Sequence, residues 1–202
     1  GMLYGKVFRS KKASARIKSI DTSAARNLPG VATVITAEDV PNNRSVTSAV
    51  GQTANLGLAQ VVQRLVLAED RVRFYGEPIA LIAAEDPDTA AAALKLIKIE
   101  YVDLPGIFDT VEAMKEDAPR VHQGKNVVTH FGLRQGDIDR GFREADVIVE
   151  NTYETQLQEH AHIEPESGVA WIDDDGVLNL RVATQVIEQY REVAHILDIP
   201  ES

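Results

Sequence analysis

Residues 75–94 read YGEPIALIAAEDPDTAAAAL, and the fold is decided there. From Pro78 to Ala84 the run is apolar without polar interruption, the pattern of a strand buried on both faces and so the central strand of its sheet. Asp86-Pro87-Asp88 then opens a helix. A capping carboxylate comes first, a proline with fixed φ suits the first helical position, and a second acid is favoured by the helix dipole. The alanine-rich segment to Leu96 continues that helix. A buried strand running into a helix places the chain in the α/β (α+β) class.

Upstream, residues 3–8 and 15–20 are short strands expected to pair with each other, the second alternating apolar and basic residues. Asp21 offers a cap to a helix over 22–28 that Pro29-Gly30 ends, and 31–35 is a further strand. Thr36 with Asp39 three residues on is a capping arrangement for one more helical turn. Residues 41–56, PNNRSVTSAVGQTANL, are polar and without period, a long loop. Residues 64–68 have strand composition. Downstream, Ile97, Ile99 and Tyr101 alternate with Lys98 and Glu100 as a half-exposed strand stopping at Leu104-Pro105.

Residues 1–108 are thus one α/β domain and 109–130 a polar link. A second module begins near 131. Gly136-Asp137 opens a helix to Ala145, and 147–157 is a long alternating strand. Residues 169–172 and 177–182 flank Asp175-Gly176, a hairpin-turn signal. Val186, Tyr190, Val193 and Leu197 recur at helical spacing, so a last amphipathic helix is expected to pack on that hairpin.

Composition narrows the chemistry. With 21 Lys and Arg against 31 Asp and Glu in 202 residues, the net charge is −10, which argues against binding a nucleic-acid backbone. No apolar run approaches the roughly 20 residues of a membrane helix, and the start lacks a signal segment, so a cytoplasmic protein is expected. Gly1-Met2 reads as a scar of tag removal. The absence of cysteine excludes disulfides, thiolate metal sites, iron–sulfur ligation and a cysteine nucleophile on this chain. No G-x-S-x-G elbow, Walker A or G-x-G-x-x-G loop occurs.

Several segments, in order, resemble one family. Residues 3–10 (LYGKVFRS), 15–40, 75–84 (YGEPIALIAA), 99–105 (IEYVDLP), 136–150, 158–165 (QEHAHIEP) and Thr184-Gln185 are similar to the molybdenum-binding subunit of the xanthine dehydrogenase and aldehyde oxidase family. Only the stretch 41–63 is unmatched. The resemblance implies a hammerhead α/β domain over 1–108, a link over 109–130 and the truncated start of a molybdopterin-binding domain over 131–202. It implies an oxidoreductase that hydroxylates a carbon of a purine, aldehyde or related heterocycle, with water as oxygen source. Electrons would pass to iron–sulfur centres and often FAD on partner subunits or domains, in an oligomer when full length. The family's glycine-rich GGGFGGK-type segment and its distant catalytic glutamate do not occur here. The chain is therefore expected to be an excised piece, inactive alone and without bound cofactor.

The resemblance assigns one cofactor contact, Gln185, at the end of the hairpin where the family's glutamine hydrogen-bonds a molybdenum oxo ligand. A neutral amide donates there without adding charge near the metal. The competing reading is a glutamine capping a helix start. Gln158, Glu159, His160, His162 and Glu164 form the densest set of possible ligands. Strand periodicity would put His160, His162, Gln158 and Glu164 on one face, where two histidines and a carboxylate suit Zn2+ or Fe2+. A small metal hydrolase and a noncatalytic interaction module are the alternatives to the family reading. Glu85, Asp86, Asp88 and Asp173 to Asp175 fall at caps and turns. His122, His130 and His195 stand alone, and Arg9, Lys11, Lys12 and Arg16 form a small basic cluster expected at a solvated strand edge.

Overall fold

The computed structural model describes residues 1–45, 64–122, 124–127, 130, 132–184, 187 and 189–201. Along them run β1 (Tyr4–Arg9), β2 (Ala15–Asp21), α1 (Ser23–Arg26), β3 (Val31–Thr36), a 3₁₀ turn (Ala37–Asp39), β4 (Arg71–Val72), β5 (Pro78–Ala84) and α2 (Pro87–Leu94). Then come β6 (Lys98–Asp103), α3 (Thr110–Ala113), α4 (Ile138–Glu144), β7 (Gly168–Ile172), β8 (Leu178–Val182) and α5 (Gln189–Leu197). The chain forms two compact units, 1–130 with 188–201, and 131–187. Among the described residues no helix is long and apolar enough to cross a membrane.

In the first unit the apolar run of β5 is central, as its composition demands. Its sheet has the order β1-β5-β3 with both pairings antiparallel. One face of β5, Ala80, Ile82 and Ala84, is buried with Val34, Ala25, and Ala90 and Ala93 of α2. The opposite face turns Ile79 into a second cluster with Ala15, Ala68 and Val72. Alanines at 90 and 93 are wholly buried, so the helix lies close on the sheet.

The cap of α2 follows the sequence closely. Asp86 Oδ1 accepts the amides of Asp88 and Thr89 at 2.9 and 2.8 Å, and Oδ2 accepts the Thr89 hydroxyl at 2.6 Å. These bonds, the Thr89 hydroxyl foremost, hold the Asp86 carboxyl below the usual 3.8. Asp86→Ala should lower Tm by a few degrees, with Asp86→Asn retaining most of the cap. Because the folded-state pKa is the lower one, the deficit should be complete above pH 3.8, the unfolded value, and shrink below it until it is lost as pH falls through the lower folded-state pKa. Thermal melts of both variants across pH 2 to 7, about 1 unit apart, check this.

Four expectations are corrected. The strands at 3–8 and 15–20 do not pair: β1 joins β5, with Tyr4 opposite Ala84, while β2 joins β4 and β6 in a second sheet of order β4-β2-β6. The connection is not a two-residue hairpin turn. Ser10 Oγ closes a local turn on Lys12, and the backbone of Ser10 exchanges hydrogen bonds with Gly76 and Glu77, steering the chain out of the first sheet.

Among the described residues, 64–68 make an isolated bridge, Leu65 with Arg44, rather than a strand, and the strand is the short β4. Leu67 and Ala68 are buried instead as core plugs. The side-chain amide of buried Asn43 takes the place of a neighbouring strand, donating to the Leu67 carbonyl at 2.8 Å and accepting its amide at 2.9 Å.

The alternating segment 147–157 is not a strand, and its side chains are exposed. Alternation supplies a face to bury but no edge to pair with, and in the second unit β7 and β8 pair only with each other. Finally, α5 groups with the first unit rather than with the hairpin. Asn42 donates its backbone amide to the Ile196 carbonyl at 3.1 Å and its side chain to the His195 carbonyl at 2.7 Å. Two carbonyls at the end of the helix find their donors there.

Candidate functional site

Gln185, the expected cofactor contact, lies outside the described residues, as do residues 46–63 of the long loop. The hairpin leading toward Gln185 is well defined. Gly176 turns with φ +81°, where a side chain would be strained. Asp173 organises the turn, its Oδ1 accepting the amides of Asp175 and Val177 at 3.1 and 2.9 Å and its Oδ2 the Asn179 side-chain amide at 2.8 Å. The Asn179 bond first, then that from Val177, depresses the Asp173 pKa below 3.8. The acids at 173–175 and Asp86 thus serve turns and a cap, not an acid–base pair.

His160 and His162 do lie together, their rings stacked at 5.6 Å and almost parallel. They sit in irregular chain, with Ala161 at φ 51° and its amide donated to Glu159 at 3.1 Å. Among the described residues no three His, Asp or Glu converge as a metal cluster, so Glu164 does not complete a ligand set with them. Of the basic cluster near the start, Lys12 pairs with Asp103 at 2.9 Å and Arg9 donates to the Gly76 carbonyl at 3.0 Å.

Sequence reasoning missed a recess in the first unit of about 240 Å³, bordered by Arg71, Arg73, Phe74, Tyr75, Phe108 and Arg120. Its wall is the turn 73–77. Buried Glu77 accepts the Arg73 amide and faces the Arg73 guanidinium at 3.6 Å. Gly76, at φ +88°, donates to the Ser10 carbonyl at 2.9 Å, and Glu77 donates to the Phe74 carbonyl at 3.3 Å. So tied, the turn holds Phe74 and Tyr75 exposed. Near this wall, burial first and then the charges of Arg73 and Arg71 keep His122 from protonating until below the usual 6.5. No motif signals the recess, because its residues come from segments far apart in sequence.

A family model described as the aldehyde oxidase and xanthine dehydrogenase a/b hammerhead domain matches residues 1–105, and one described as a molybdopterin cofactor-binding domain matches 121–202. The chain is 39% identical over 202 residues to the nicotinate dehydrogenase large molybdopterin subunit of Eubacterium barkeri, covering 100% of this chain and 45% of that protein. To the xanthine dehydrogenase molybdenum-binding subunit of Escherichia coli it is 34% identical over 203 residues, covering 100% of this chain and 27% of the relative. Among solved structures, the aldehyde oxidoreductase from Desulfovibrio gigas superposes with a TM-score of 0.85 at 30% identity, over 98% of this chain and 22% of that one. The chain spans less than half the length of each.

Proposed function

The chain belongs to the aldehyde oxidase and xanthine dehydrogenase family, and on that footing we propose that it is the segment of a molybdenum-binding subunit carrying the hammerhead domain and the opening of the molybdopterin-binding domain. The observation that supports this is the succession of two family models along one chain, over 1–105 and 121–202. In this reading 1–108 is the hammerhead domain, 109–130 the link and 131–202 the first part of the cofactor domain. The whole enzyme, in the cytoplasm, hydroxylates a carbon of a purine, aldehyde or related heterocycle with oxygen from water. Its partners are the iron–sulfur and FAD subunits or domains that receive the electrons.

The described residues do not make up a cofactor cradle by themselves. The chain has no cysteine, and among the described residues no three His, Asp or Glu converge. Among those same residues, the one buried side-chain atom without a partner, Arg71 Nε, belongs to the first unit. When bound, the molybdenum cofactor supplies the oxygen-transfer and redox chemistry of such an enzyme. In this reading the chain would supply a scaffold and one neutral amide, Gln185, which would help hold the cofactor by a hydrogen bond without changing the local charge. Alone it turns nothing over.

Gln185→Ala in the full-length enzyme should lower turnover about 10- to 100-fold, the usual cost of removing a supporting hydrogen bond at a metal, while circular dichroism and Tm stay unchanged. Steady-state kinetics with unaltered kcat would overturn the assignment of Gln185.

A further inference from the structure

The recess of the first unit is lined by three arginines, two of which have no acid close by among the described residues. Among the described residues its lining contains no acidic residue, in a chain where acids outnumber Lys and Arg by 31 to 21. Arg73 has acids close by, Asp70 at 3.7 Å and Glu77 at 3.6 Å. Arg71 and Arg120 have none among the described residues. Arg71 gives Nη2 to the Ser14 hydroxyl at 3.3 Å, and its buried Nε has no acceptor. Arg120 gives its two terminal nitrogens to the carbonyls of Gly124 and Glu116 at 3.1 and 3.4 Å. Two guanidinium charges are met only by neutral oxygens, and a planar guanidinium in that state gains most from a carboxylate.

Aromatic surface sits beside this charge. Phe108 is 86% exposed, yet its ring lies against Gly106 so closely that a Cβ there would come within 2.8 Å of it. The glycine gives the ring a seat at the recess wall. Across the lining, Phe74 and Tyr75 are held exposed by the turn that Glu77 ties. Exposed rings fixed beside unbalanced arginines offer a flat apolar face and an anion-binding wall together. The volume is below the roughly 300–1,000 Å³ of drug-sized pockets and suits a ligand built on one ring.

We propose that this recess binds a planar aromatic carboxylate, with the carboxylate on the Arg71 and Arg120 wall and the ring against the exposed aromatic side chains. The site is independent of Gln185 and of any turnover.

The test is titration of the 202-residue chain with benzoate, followed by backbone amide NMR, with benzamide and acetate as controls. Benzoate should give saturable shifts at 71–75, 106–108 and 120–121. Benzamide keeps the ring without the charge and acetate the charge without the ring, and each should bind at least about tenfold more weakly. Arg120→Gln, at an exposed position, should weaken benzoate about tenfold with the spectrum unmoved outside 116–124, where Arg120 bonds the carbonyls of Glu116 and Gly124. Bound benzoate should also raise the His122 titration midpoint, because the anion offsets the Arg73 and Arg71 charges that depress it. Equal binding of benzamide, shifts located elsewhere, an unaffected Arg120→Gln variant, or no saturable binding would each overturn the proposal.

Discussion

Ile82→Ala is expected to destabilise the first unit by about 3 kcal/mol and to lower its Tm by about 10 °C. Ile82 is 2% exposed on the face of β5 that meets α2. Deleting its outer carbons removes their transfer free energy and leaves a cavity. Four of its cluster neighbours, Ala80, Ala84, Ala90 and Ala93, have no longer side chain to swing in, so the cavity is refilled only in part. The same deletion at Ile163, which is 101% exposed in the second unit, should change stability by no more than about 0.5 kcal/mol. Guanidinium unfolding of the two variants beside the parent chain checks the contrast. Similar midpoints for both would mean that β5 is not packed against α2 as described.

What the sequence revealed and what it concealed divide along physical lines. Caps and turns were legible because their chemistry is local. Asp86 binds amides two and three residues on, Asp39 folds back on Thr36, and Gly176 takes the φ that its hairpin needs. The centrality of β5 was legible because a run without polar residues has nowhere to go but between two layers. Strand partners were not legible, since pairing joins residues far apart and alternation does not name a neighbour. Thus β1 pairs with β5 some 70 residues away, and 147–157 finds no ladder at all. Residues 64–68 misled for a related reason. The backbone of Leu67 is met by the side chain of Asn43, and those of Arg64, Val66 and Ala68 by the backbones of Ser45, Asn43 and Pro78, partners that no strand pattern anticipates. The proposal for Gln185 rests on resemblance to a family alone, because a lone glutamine has no sequence signature of its own. The arginine recess draws on 13–14, 71–75, 105–108 and 119–121, each unremarkable in isolation, and so left no pattern to find.

Glu77 joins fold and recess, and Glu77→Ala should cost about 3 kcal/mol. Its side chain is 8% exposed and that of Arg73 20%, so the pair is largely out of water. Truncation leaves the Arg73 guanidinium with the exposed Asp70 at 3.7 Å and the Arg71 carbonyl at 3.0 Å, and removes the acceptor of the Arg73 amide. A largely buried cation left with one exposed acid, together with an unmet backbone donor, is a costly loss. Glu77→Gln keeps an oxygen for the amide and gives up only the charge, and it should lose about 1–2 kcal/mol. The double variant Arg73→Met, Glu77→Leu should recover part of the alanine deficit, since the charge is gone but the amide remains unmet. Urea midpoints of the three variants order these contributions. The turn also presents Phe74 and Tyr75 to the recess, so benzoate should bind Glu77→Gln nearly as well as the parent and bind Glu77→Ala more weakly. If Glu77→Ala unfolds at the parent's midpoint and binds benzoate unchanged, the carboxylate does not hold the turn, and the exposure of the two rings must have another cause.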